Sequence, residues 1–146
     1  MPELKFETGL VEYDLNGKCK VSFNPTDYKF AERVYDAFEA LGKLQDEYDK
    51  KSETSGAGKE AFELAKERDA KMESIIDGLF GKPVCESLFE ETGVCAFGDG
   101  FPNWLNLMLA IMDKIEADIG DIAKRADPRV AKYTAKYQKY AKKYGK

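Results

Sequence analysis

The chain has 146 residues, 43% hydrophobic and 34% charged, with no histidine, three cysteines and a formal charge of −4. A chain of this length suits one domain that buries roughly two-thirds of its unfolded surface, so neither disulfides nor a structural metal are needed for folding. The lack of histidine excludes Ser-His-Asp and Cys-His nucleophile pairs and His-ligated zinc or haem. It therefore points to binding rather than catalysis, and no cofactor or metal is expected.

The charge is unevenly placed. Residues 124–146 hold nine Lys or Arg against the single acid Asp127, a segment of +8, which leaves −12 on residues 1–123. Cys19, Cys85 and Cys95 form no CxxC pair and read as reduced, mostly buried thiols of a cytoplasmic protein. No signal peptide is expected, since the first ten residues carry Glu3 and Glu7 and no apolar run. The longest apolar stretch, around residues 104–112 and broken by Asn106, falls far short of the ~20 residues of a membrane span.

The fold class expected is α+β, mostly α: one domain over residues 1–146, made of a hairpin region (1–24), a helical body (25–127) and a basic C-terminal helix (128–146). Val11, Tyr13 and Leu15 alternate, Asn16-Gly17 marks a turn, and Cys19, Val21 and Phe23 alternate again. A two-residue Asn-Gly loop would place the two apolar sets on opposite faces. A three-residue loop of Leu15, Asn16 and Gly17, with Gly17 left-handed, places them together. It pairs Tyr13 with Cys19 and Val11 with Val21, and sets Glu12 against Lys20. Leu4 and Phe6, ahead of Gly9, would extend the first strand or add a third. A lone hairpin leaves unpaired edges, so those edges are the expected contact with a second copy in a homo-oligomer.

Helix follows at Asn24-Pro25-Thr26-Asp27, with Asn24 as N-cap and Pro25 in the first helical position. Phe30, Val34, Ala37, Phe38, Leu41, Leu44 and Tyr48 form an apolar stripe about five turns long. Residues 52–58 (SETSGAG) read as a loop. A second helix carries Ala61, Phe62, Ala65, Met72, Ile75, Ile76 and Leu79 on one face and stops at Gly81-Lys82-Pro83. Pro83 opens a short helix with Val84, Leu88 and Phe89. Residues 92–102 form a glycine-rich connector in which Gly98-Asp99-Gly100 is a turn, since it lacks the lysine and spacing of a phosphate loop. The next helix, from Trp104 to Ile119, is apolar on nearly all sides in its first half and should be the central buried element, with four or five helices packed around it. Asp127-Pro128 restarts the chain as a final helix.

That last helix carries the most regular pattern, KYxxKYxKYxxKY over residues 132–144. Tyr133, Tyr137, Tyr140 and Tyr144 fall within an arc of about 60° at helical spacing. Lys132, Lys136, Lys139 and Lys143 form a parallel row to one side. The plainest reading is an amphipathic helix laying its tyrosines on the acidic body. A second is a detachable arm that binds a protein partner through tyrosine anchors. Nucleic-acid binding is disfavoured by the repulsion of a −12 body. Glu86, Glu90 and Glu91, or Asp113, Glu116, Asp118 and Asp121, could suggest a metal, but neither group has EF-hand geometry. Both read as solvated faces.

Three segments, residues 21–41 (VSFNPTDYKFAERVYDAFEAL), 79–89 (LFGKPVCESLF) and 98–113 (GDGFPNWLNLMLAIMD), together resemble the small tail-assembly chaperone-like proteins encoded by phages and prophages of Gram-positive bacteria. Residues 127–137 (DPRVAKYTAKY) are similar to the C-terminal end of that family. The resemblance implies a non-enzymatic protein of the bacterial host cytoplasm. Such a protein would keep the tape-measure protein soluble while tail-tube subunits polymerise into a long non-contractile tail, and it would carry no catalytic residues. On this reading the basic tyrosine helix is the candidate partner-binding element. The competing readings are a structural tail or connector component retained in the virion and, less favoured, a small nucleic-acid-binding regulator.

Overall fold

A computed structural model describes residues 1–56 and 58–119. The elements run β1 (Val11–Leu15), β2 (Cys19–Phe23), α1 (Tyr28–Thr54), α2 (Lys59–Phe80), α3 (Val84–Phe89), β3 (Phe97–Gly98), β4 (Phe101–Pro102) and α4 (Asn103–Ile119). This is the expected α+β architecture, mostly α, with a hairpin leading into helices. The expected final helix over residues 128–146 lies outside the described residues.

β1 and β2 pair antiparallel, with Tyr13 opposite Val21 and Leu15 opposite Cys19. The apolar sets share one face as expected, but the register differs by two residues from the expected Tyr13–Cys19 pairing. The loop is Asn16-Gly17-Lys18, closed by a Lys18 N–H bond to the Leu15 carbonyl at 3.0 Å. Asn16 (φ 55°) and Gly17 (φ 71°) both take the left-handed conformation, which Asn and Gly adopt at least cost. Leu15 thereby stays in the ladder, packed against the core. Asp14, not Glu12, lies directly opposite Lys20, and Glu12 reaches Lys20 diagonally at 3.9 Å. Residues 1–10 form no strand. The expectation that Leu4 and Phe6 extend the sheet fails because Gly9, at φ 82°, turns the chain out of the hairpin.

The entry to α1 is built in two stages. Asn24 Oδ1 accepts the Thr26 N–H at 2.9 Å and the Thr26 hydroxyl at 2.7 Å, stabilising a turn. The N-cap itself is Asp27, whose carboxylate accepts the Lys29 N–H at 2.9 Å. Asn24 and Pro25 therefore precede the helix. α1 continues to Thr54, through half of the expected loop.

α2 ends at Gly81 in the left-handed conformation (φ 69°), with its N–H on the Asp77 carbonyl at 2.8 Å. The Asp77 side chain then accepts the Val84 and Cys85 N–H groups, each at 2.9 Å. One residue thus closes α2 through its backbone and caps α3 through its carboxylate. The glycine-rich connector does the same for α4: the carbonyls of Val94 and Ala96 accept the N–H groups of Trp104 and Asn103, each at 2.8 Å. Its turn, with Asp99 at φ 55° and Gly100 at φ 85°, joins two short paired segments that the sequence reading left unassigned.

The core joins one face of the hairpin to α1, the C-terminal half of α2, α3 and α4. Trp104, Leu105, Met108, Met112 and Ile115 of α4 are fully buried, as are Val34, Phe38 and Leu41 of α1 and Met72 and Ile76 of α2. α4 is buried along one face as expected, but the central place expected for it falls to α1, which packs against both α2 and α4, and Ala110 on α4 is exposed. Phe62 departs from expectation: it is 67% exposed, because the N-terminal half of α2 carries no buried residue.

Candidate functional site

The predicted partner-binding set, Lys132, Tyr133, Lys136, Tyr137, Lys139, Tyr140, Lys143 and Tyr144, lies outside the described residues. Within them, the surface best suited to receive another polypeptide is a groove between α1 and α2. Ala40 and Leu44 form one wall, Ala70, Ser74 and Ile75 the other, and Lys43 and Lys71 stand at the rim. The groove is open, about 640 Å³, and its lining is mostly apolar. Alanines at the ridge of each helix let a third helix approach closely.

The electrostatics of the rim are set by a polar cluster beneath it. Tyr48 is buried, and its hydroxyl donates to Glu67 Oε2 at 2.5 Å. The ammonium groups of Lys51 and Lys71 sit 4.5 Å and 5.3 Å from the Tyr48 ring centroid. The Tyr48 hydrogen bond, helped by Lys71 and Lys51, holds the Glu67 carboxyl below its ordinary value. The same phenol raises Lys71 above its ordinary value, while Lys43 pairs with Glu39 at 3.0 Å. Leu44 and Ile75, expected on the apolar faces of their helices, pack against the edge of the core and are half-buried. No sequence signal marks the groove, since the alanines that complete it, Ala40 and Ala70, are ordinary in any helix.

The opposite side of α2 carries Asp69, Glu73 and Asp77 at four-residue spacing. Burial, then Asp69 and Asp77, push the Glu73 carboxyl up. Among the described residues no group of three His, Cys, Asp or Glu side chains is arranged to hold a metal ion. Glu90 pairs with Lys18 at 2.8 Å and Asp118 with Lys114 at 3.8 Å. The three cysteines are free, Cys85 buried and the other two half-buried. Burial pushes the Cys95 thiol up to about 12 and the Cys85 thiol higher still, so both remain protonated and poorly nucleophilic.

Among the described residues no helix is long and apolar enough to cross a membrane. No protein-family model, curated protein or solved structure matches the chain.

Proposed function

We propose that the protein is a non-enzymatic assembly factor that binds an apolar helix of a partner protein in the α1–α2 groove. The groove carries this reading: a shallow, open and mostly apolar surface between α1 and α2 with half-buried Leu44 and Ile75 and lysines at its rim. Helix-in-groove recognition needs an apolar floor of this kind, and Lys43 and Lys71 favour a helix with acidic flanks. Together with the resemblance of residues 21–41, 79–89 and 98–113, it supports a tail-assembly chaperone of a phage or prophage, acting in the bacterial cytoplasm. The client would be the tape-measure or tail-tube protein.

The test is co-expression with a phage tape-measure protein as client. The wild-type chain should keep that client soluble. Ala70→Glu, a change at an exposed helix position, should weaken client binding by about tenfold or more without lowering the melting temperature. Unchanged binding would remove the groove from the reading. Stoichiometric presence in finished particles would assign the protein to the tail structure instead, and a salt-sensitive gel shift would favour the nucleic-acid reading.

A further inference from the structure

The N-terminal segment shows an apolar face with no covering among the described residues. Leu4 is 89% exposed and Phe6 82%. The segment nevertheless leaves the body at a defined place. The Asn24 side-chain amide donates to the Thr8 carbonyl at 2.9 Å. A Cβ at Gly9 would come within 2.5 Å of that amide nitrogen, so only glycine fits where the chain turns.

We propose that residues 4–8 pair antiparallel with the same segment of a second copy, about a two-fold axis at Phe6. The occupant is chosen by charge. Leu4, Phe6 and Thr8 alternate with Glu3, Lys5 and Glu7, so an extended strand has one apolar and one charged face. A pairing centred on Lys5 would set Lys5 against Lys5 and Glu3 against Glu7, like charges throughout. Centred on Phe6, it sets Lys5 against Glu7 twice, Phe6 against Phe6 and Leu4 against Thr8. A Leu4-centred pairing also sets Glu3 against Lys5, but it faces Phe6 with Pro2, which strand interiors disfavour, instead of a second Phe6.

The hold on Thr8 fits this register and excludes one centred on Lys5 or Glu7 in the close position. In an extended strand the backbone groups of alternate residues point to opposite edges. With the Thr8 carbonyl directed to Asn24, the N–H and C=O of Lys5 and Glu7 face away from the body. Those are the groups a Phe6-centred pairing uses, leaving Phe6 in the close, non-hydrogen-bonded position. The interface is isologous, as a two-fold contact requires. It lies on the N-terminal segment rather than the α1–α2 groove and stands whether or not the groove binds a client.

The experiment is sedimentation equilibrium on the full-length chain. The wild type should dimerise. Lys5→Glu and Glu7→Lys should each weaken the dimer by about tenfold or more, and the double exchange should restore it to within about threefold of wild type. Phe6→Cys should form an interchain disulfide under mild oxidation, because the axis brings the residue opposite itself, while Lys5→Cys should not. A monomeric wild type, single variants that dimerise like wild type, or a double variant that stays dissociated would each overturn the proposal. Rescue by Glu3→Lys with Lys5→Glu in place of the Lys5/Glu7 exchange would overturn the Phe6 register. These positions are exposed and outside the core, so thermal melts should match wild type throughout.

Discussion

The indole N–H of Trp104 donates to the side-chain oxygen of Gln45 at 3.0 Å, and the amide of Gln45 passes on to Asp49 Oδ1 at 3.0 Å. Trp104 is fully buried and Gln45 is 7% exposed, so this bond crosses the α1–α4 interface away from water. A buried donor stripped of its acceptor keeps its full desolvation cost. Gln45→Met should therefore destabilise the fold by about 1–3 kcal/mol, and the pair Gln45→Met with Trp104→Phe should cost less than the sum of the two. Urea unfolding followed by circular dichroism checks both. Additive losses would mean that the bond contributes nothing beyond packing.

Asp77 supplies a second, separable contribution. Asp77→Ala leaves the Cys85 N–H without its acceptor and the Val84 N–H with the Lys82 carbonyl alone, and should cost about 1–2 kcal/mol. Asp77→Asn retains an acceptor oxygen and should lose less. Thermal denaturation of the two variants gives the order, and an equal loss in both would point to charge rather than capping.

The thiols give a chemical readout. At about pH 8 a thiol reagent should modify the native protein first at Cys19, with Cys85 and Cys95 reacting only on unfolding. The Cys95 thiol lies at an ordinary 9.0 when unfolded and is pushed up to about 12 by burial in the fold. The folded state thus holds a proton that the unfolded state releases. The stability this gives is complete below pH 9.0 and declines as pH rises toward about 12. Comparing the alkaline limb of stability with that of Cys95→Ala checks the sign: the variant should fall less steeply.

At the acid end the sign reverses. Glu67 lies below its ordinary 4.5, chiefly through the Tyr48 hydrogen bond and then Lys71 and Lys51. Its contribution is present above 4.5 and is lost as pH falls through the lower folded value. Tyr48→Phe should flatten that acid limb, and urea midpoints measured at several acidic pH values test it. An unchanged slope would remove Tyr48 as the cause.

The helices and their buried faces were legible because a 3.6-residue period marks Phe30 to Tyr48 and Trp104 to Ile115 without reference to the rest of the chain. The hairpin was legible only in parity. Alternation fixes which residues share a face, but a two-residue slip preserves every face, and the choice fell to Asn16 and Gly17 at the turn. At the start of α1, Asn24 and Asp27 are both good caps three residues apart. The sequence reading took the first, whereas the fold uses Asn24 to hold Thr8 and Thr26 and gives the helix to Asp27. Leu4 and Phe6 carry the alternation of a strand with no partner strand among the described residues. The groove was invisible for the opposite reason: Ala40 and Ala70 are ordinary on any helix and form a channel only once α1 and α2 lie side by side.

The hold of Asn24 on Thr8 bears on how quickly such molecules could meet. Chains that exchange a segment buried in their own core must first unfold in part, so their association is gated by a slow internal step. Here Leu4 and Phe6 already stand in solvent, and the single amide bond at Thr8 aims the arm without burying it. Association through it needs no prior unfolding, so its rate should follow protein concentration and ionic strength, as a steered encounter does.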